Sequence, residues 1–207
     1  MQFLLVRHGQ TQYNADGRVQ GQIDIPLNET GTWQAGRIGE RLKGYSPNAI
    51  FASDLSRAAD TARAIAAHHP SIPFLETKLL REIAYGVFEG MHLPDIEQTY
   101  PEEYLQWREG DVGYTPPNAE SIYDQRARAS HAVNWVREHC ANGTIVLVSH
   151  GGIMRSLVAN LLDLGIDQQV RFHFDNTSLT ALEDTPRGMS LRLANDTSHL
   201  DEQSAFP

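Results

Sequence analysis

The chain begins with four consecutive apolar residues, Phe3-Leu4-Leu5-Val6, and runs at once into Arg7-His8-Gly9. A short unbroken apolar run reads as a strand covered on both faces, which demands helices above and below one sheet. In open α/β sheets, ligands bind outside the carboxyl ends of the strands. Arg7 and His8 therefore stand where a ligand is expected. A guanidinium beside a nucleophile-capable imidazole suits an anionic substrate under attack.

Strand-like and helix-like segments alternate along the rest of the chain. The pattern predicts an α/β fold, a three-layer α/β/α sandwich with a mostly parallel central sheet. Asn28-Glu29-Thr30-Gly31 opens a helix towards Leu42, with Trp33, Ile38 and Leu42 as buried positions. A strand is expected over 49–52 and a helix over about 55–68, with Ser53-Asp54 as its capping pair. Phe74-Leu75 marks a further strand. Helices are expected over 121–139 and 151–162, flanking a strand at 145–148, and closing strands over 179–182 and 191–193. Residues 91–119 break the alternation with one or two short helices, Pro101 and Pro116-Pro117, which reads as a cap insertion in an otherwise single domain spanning 1–207. The tail from Asp196 to Pro207 is polar and expected to be loose.

The 207 residues can bury a core without covalent staples. The lone Cys140 forms no internal disulfide, and no charged-then-apolar leader opens the chain; together these point to the cytoplasm. A formal net charge of −9 argues against nucleic acid or an anionic membrane as partner. Any phosphate-binding cations must then be gathered locally. Oligomeric state is open, a homodimer included.

Further chemistry-bearing motifs follow in order: Asn14 and Gln20-Gly21, then Ser53-Asp54-Leu55-Ser56-Arg57, Leu80-Arg81-Glu82 through Tyr85 to Glu89-Gly90, and the strand ending in Ser149-His150-Gly151-Gly152. From Phe3 to about Asn176 this series resembles the histidine phosphatase superfamily, the phosphoglycerate-mutase-like proteins. The resemblance implies that His8 is a nucleophile forming a phosphohistidine. It implies that Arg7 and Arg57 bind phosphoryl oxygens and that His150 is a protonated phosphate ligand, with the Gly151 N–H alongside. Asn14 adds a neutral donor, and Gln20, Gly21, Tyr85 and Arg108 are candidate substrate-binding positions. Two glutamates could serve as proton donor; the family pattern places the acid at Glu82 and makes Glu89-Gly90 a structural turn. The histidines at 68, 69, 92, 131, 139, 173 and 199 show no spacing that closes a metal site, so neither a metal nor an organic cofactor is expected.

The family contains both phosphatases and mutases. Between residues 91 and 119 the only basic side chains are His92 and Arg108, too few for a rich grip on a bisphosphate. Pro116-Pro117-Asn118-Ala119-Glu120-Ser121 resembles the Pro-x-Gly-Glu-Ser turn of family phosphatases, with Ala119 in place of the glycine. The expected function is a metal-independent phosphomonoesterase acting on a small phosphorylated metabolite. A bisphosphate-primed phosphoglycerate mutase is the alternative, and a non-catalytic phospholigand-binding module the third reading.

Overall fold

The computed structural model describes residues 1–109 and 112–201. Six strands form one sheet: β1 (Gln2–Arg7), β2 (Ala49–Ser53), β3 (Phe74–Thr77), β4 (Thr144–Ser149), β5 (Leu179–Thr185) and β6 (Gly188–Asp196). Their spatial order is β3-β2-β4-β1-β5-β6. The first four strands in that order run parallel, whereas β5 and β6 are antiparallel to their neighbours. Among the described residues, seven α-helices accompany them: α1 (Gln12–Ala15), α2 (Glu29–Leu42), α3 (Ser56–Ala66), α4 (Leu93–Thr99), α5 (Pro101–Glu109), α6 (Ile122–His139) and α7 (Gly151–Leu161). The mixed α/β fold with a mostly parallel sheet is thus present as expected.

The continuous apolar run of β1 serves two cores at once. Because side chains alternate along a strand, Phe3 and Leu5 face one layer and Leu4 and Val6 the other. Phe3 and Leu5 pack with Phe51, Leu147 and the inner faces of α6 and α7. Leu4 and Val6 pack with Ile50, Val148 and the inner faces of α2 and α3. Each such large side chain, fully buried, stabilises the fold by about 1.5–3 kcal/mol. A smaller third cluster of Val19, Phe88, Ile96 and Tyr104 ties α4 and α5 to the loops over the sheet.

Four expectations need correction. Trp33 is 49% exposed. The buried stripe of α2 is Ala35, Ile38, Gly39 and Leu42, and a residue nine positions before Leu42 points half a turn away from it. Ser53 and Asp54 do not cap α3 from the N-cap position, which is Leu55. Asp54 instead forms a two-point ion pair with Arg81, at 2.7 Å for each oxygen, and Ser56 N–H donates to Asp24 in the distant loop between α1 and α2. The β5–β6 hairpin is longer than expected, since β6 begins at Gly188. The polar segment from Asp196 is tied down as far as the described residues reach. Arg41 pairs with Asp196 at 2.5 Å, Arg37 Nε donates to the His199 carbonyl at 2.8 Å, and His199 is buried. Residues 202–207 of the expected tail lie outside the described residues.

In the turn before α6, the left-handed backbone position is Asn118 (φ 61°), not Ala119. Asparagine tolerates that conformation, so alanine at 119 meets no strain. Glu120 then forms a two-point ion pair with Arg128, and the Ser121 side chain caps α6 by accepting from Asp124 N–H.

Candidate active site

Three parallel strands end at one edge, and their carboxyl ends carry the motif residues. β1 delivers Arg7 and His8, β2 leads into α3 with Arg57, and β4 delivers His150. A cavity of about 160 Å³ is lined by Arg7, His8, Asn14, Gln20, Gly21, Arg57, Glu82 and Tyr85, among others. His150 is fully buried beside it, its ring centroid 5.0 Å from that of His8.

The tautomer of His8 is fixed by geometry. Its Nδ1 lies 2.7 Å from the Gly9 carbonyl oxygen, which only accepts, so Nδ1 carries the proton and Nε2 is bare. Burial, reinforced by the Arg57 and Arg7 charges, holds its pKa well below the ordinary imidazole value against the raising influence of the Gly9 bond. The ring is neutral at physiological pH, as a nucleophile requires. Gly9 is itself held by Thr61, whose hydroxyl accepts from Gly9 N–H at 3.0 Å and donates to the Arg57 carbonyl at 2.7 Å.

Arg57 is fully buried, and its guanidinium organises the surroundings. Nε donates to His150 Nδ1 at 3.2 Å, while Nη1 and Nη2 donate to the Ile23 and Gly21 carbonyls at 2.9 Å each. Desolvation lowers its pKa to about 10, which leaves it charged. Of the five guanidinium N–H groups, two remain for a ligand. Gly21 sits at φ +54°, and a side chain there would collide with Glu89. Glycine is therefore required where the backbone turns to present its carbonyl to Arg57.

His150 departs from the expected protonated form. Burial, the charges of Arg57 and Arg7, and His8 push its pKa well below the ordinary value. Its Nδ1 accepts from Arg57, so the proton of the neutral ring resides on Nε2. That Nε2 and the Nε of Arg7 are both buried with no hydrogen-bond partner among the described residues. Arg7 spends Nη1 on the Phe174 carbonyl at 2.7 Å. Two unpaired donors beside a bare imidazole nitrogen form a ready cradle for anionic oxygens.

Glu82 approaches from the loop after the short helical turn at Lys78–Leu80. Its Oε1 accepts from Ile83 N–H at 2.9 Å and Ile153 N–H at 3.0 Å, and its Oε2 from Gly152 N–H at 3.1 Å. It thus satisfies the first free N–H groups of α7, whose own N-cap residue, His150, makes no capping bond. Glu89 joins two loops instead, its Oε1 accepting from both Gln22 N–H and Tyr85 N–H.

Asn14 and Gln20 face the small cavity. Asn14 Oδ1 accepts from Thr11 N–H and Asn176 Nδ2, which leaves its own amide N–H groups for a ligand. Gln20 Oε1 accepts from Thr11 at 2.9 Å. Gly151 and Tyr85 border a second, larger cavity of about 680 Å³, which Arg7 and Glu82 join to the first. Arg108 lies apart from the histidines, at the exposed rim of that larger cavity, donating to Tyr104 Oη at 2.9 Å. Three contributors escape a reading of the sequence. Thr61 and Asn176 hold the two ends of the His8–Gly9 peptide, Thr61 by accepting from Gly9 N–H and Asn176 by donating to the His8 carbonyl at 3.0 Å, and nothing local in the sequence marks either one. Arg155 lines the large cavity; its spacing of four from Gly151 is a usable signal, since such residues share a helix face. Among the described residues, no group of three or more His, Cys, Asp or Glu side chains could hold a metal ion, and no helix is long and apolar enough to cross a membrane.

A histidine with a bare ring nitrogen, two arginines and a second histidine, gathered at the strand ends of such a sheet, make a site suited to a phosphoryl group. The sequence profile of the Histidine phosphatase superfamily (branch 1) matches residues 3–197, and the chain belongs to that superfamily. It is 35% identical over 210 residues to a protein of Cronobacter sakazakii named probable phosphoglycerate mutase GpmB, covering 97% of this chain and 95% of that protein. A putative alpha-ribazole-5'-P phosphatase from Escherichia coli superimposes with a TM-score of 0.87 at 28% identity, over 95% of this chain and 96% of that one. A mycobacterial glucosyl-3-phosphoglycerate phosphatase also gives 0.87, at 31% identity, over 95% and 99% of the two chains.

Proposed function

We propose that this chain is a phosphomonoesterase that transfers the phosphoryl group of a small phosphorylated metabolite to His8 and then to water, without a metal. The observation that carries this reading is the His8 Nδ1–Gly9 bond, which leaves Nε2 bare beside unpaired N–H donors of Arg7 and His150.

In the first step His8 Nε2 bonds to phosphorus as the ester P–O bond breaks, and the leaving oxygen takes a proton from Glu82. Arg7, Arg57 and the Nε2–H of His150 neutralise charge on the equatorial oxygens. In the second step water attacks the phosphohistidine, gives its proton to Glu82, and phosphate leaves. Glu82 Oε1 already carries two backbone donors, whereas Oε2 carries one. Oε2 is therefore the oxygen that holds the exchangeable proton.

The mutase reading is favoured by the name of the Cronobacter relative. Against it, the segment 91–119 offers a second phosphate only two basic side chains, His92, whose Nδ1 lies 2.9 Å from the Asp16 carbonyl, and Arg108, which spends one N–H on Tyr104 Oη. The deciding assay incubates the chain, with excess chelator, with 3-phosphoglycerate, once alone and once with a bisphosphate primer. Free phosphate without the primer supports the phosphatase. Isomerisation without net release, or loss of turnover on chelation, overturns it.

A further inference from the structure

His199 is buried although the segment around it is polar. It lies in a short helical turn, Ser198–Leu200. Its ring is held on one side by Arg41, whose Nη1 lies 3.1 Å from His199 Nδ1. A guanidinium only donates, so Nδ1 is bare and the ring proton sits on Nε2. Burial, followed by the Arg41 charge, lowers the pKa of the ring to about 4, so the ring is neutral. On its other side Nε2 lies 3.2 Å from the Thr177 hydroxyl, whose own proton goes to the Asn176 carbonyl at 2.8 Å. His199 Nε2–H therefore donates to Thr177, and both ring bonds require the same tautomer. Thr177 is fully buried at φ +55°, a left-handed conformation that is costly for a β-branched side chain. The other non-glycine residues with positive φ among the described residues are Asn118, Asp163 and Asn195, types that tolerate it. A threonine there persists only where its surroundings hold it. The conformation turns Thr177 N–H onto the end of β1, where it donates to the Arg7 carbonyl at 3.0 Å and the His8 carbonyl at 3.2 Å. Asn176 Nδ2 adds its bond to the same His8 carbonyl. One strained turn thus holds the backbone of His8 and of its neighbouring arginine, and His199 holds the turn.

We propose that His199 is a positioning residue for His8: its Nε2–H locks the Thr177 hydroxyl and keeps the 176–177 turn in the left-handed form that fixes the Arg7 and His8 carbonyls, and with them the direction of the bare His8 nitrogen. The inference rests on the phosphomonoesterase reading for its kinetic consequence. Arg41, Thr177 and His199 line neither cavity, so the effect does not pass through contact with substrate. A misplacement of about 1 Å at the attacking atom can cost about 100-fold in rate. Losing the clasp is therefore expected to slow phosphoryl transfer and to leave substrate affinity in place.

The test is a double-mutant cycle read in the first turnover of p-nitrophenyl phosphate. His199→Asn keeps an acceptor for Arg41 but is too short to reach Thr177. It should slow the burst about 10- to 100-fold with KM within about threefold of the parent's. His199→Gln, which can still donate to Thr177, should restore most of the rate. Thr177→Gly keeps the N–H and adopts the left-handed turn unaided, so in that background His199→Asn should change the burst by less than about twofold. A histidine that served only stability would lower the unfolding midpoint in both backgrounds alike and leave the burst rate unmoved. Nitrogen-15 spectra of the histidine rings give a readout that needs no turnover. The His8 Nδ1–H resonance, identified by its absence from His8→Gln, should move in His199→Asn and stay in place when that change is added to Thr177→Gly. If the asparagine variant folds poorly, His199→Phe, which fills the space without a donor, takes its place. A burst and a resonance that His199 substitution leaves unmoved, or losses of equal size in both backgrounds, overturn the proposal. A wild-type chain that hydrolyses no phosphate ester would instead refute the phosphomonoesterase reading, and the resonance would still decide the role of His199.

Discussion

Replacing Glu82 by Gln separates its capping of α7 from the proposed role in moving the proton. In the variant the side-chain oxygen still accepts from Ile83 and Ile153 N–H, but the amide nitrogen now faces Gly152 N–H, donor against donor. One backbone N–H loses its acceptor, at about 1–3 kcal/mol, and loss of the anion at the helix start adds about 0.3–1 kcal/mol. Denaturant unfolding should therefore report a loss of roughly 1.5–4 kcal/mol, small enough for most domains to remain folded. The kinetic signature is sharper. With an alkyl phosphate such as 3-phosphoglycerate, the leaving oxygen needs a proton, and first-turnover rates should fall about 10²–10⁴-fold. With p-nitrophenyl phosphate the phenolate departs unaided, so the first-turnover burst should fall less than about tenfold even though later turnovers slow. Rapid-quench measurement of the two bursts decides the matter. Equal losses on both esters, or alkyl phosphate turnover within tenfold of wild type, would refute the assignment of Glu82 as the proton donor.

Three further outcomes follow from the same geometry. Arg57→Lys cannot reach His150, Ile23 and Gly21 together from a single ammonium, so it should destabilise the fold by about 2–5 kcal/mol and lower turnover about 10²–10³-fold. Unchanged unfolding and turnover would contradict the role given to the fork. Because His8 and His150 are held neutral in the folded chain, kcat/KM should show no inflection from either ring near pH 6.5. Both rings bind protons more readily once unfolded, so stability should fall as pH drops below 6.5 towards their lowered native pKa values, the window in which the unfolded state takes up the extra protons. Unfolding titrations at pH 7.5 and 5 check the sign.

The sheet and the strand-end residues can be read from sequence because local signals agree. Four apolar residues in β1 serve two cores, and Arg7-His8, Arg57 and His150 follow strands or open helices where the chain has few alternatives. The misreadings arise where tertiary partners overrule local pattern. Trp33 looks like part of a stripe that its nine-residue offset from Leu42 excludes. Asp54 resembles a cap yet is claimed by Arg81. The segment from Asp196 is mostly polar, but Arg37, Arg41 and Thr177, whose hydroxyl lies 3.2 Å from His199 Nε2, fix its first residues. His150 offers the most instructive case. A phosphate ligand invites the idea of a charged ring, and only burial next to Arg57, whose Nε occupies its Nδ1, reveals a neutral donor. Thr61 and Asn176 act through space on a distant segment, so no local pattern announces them.

The proposed mechanism places the phosphoryl group on one imidazole nitrogen during turnover. Quenching the reaction with labelled ester in alkali within the first turnover, and mapping the modified peptide, tests it directly. Acid-labile, base-stable label on Nε2 of His8, absent from the His8→Ala variant, is the outcome expected. Substrate consumed with no label on that ring at any time point would contradict it.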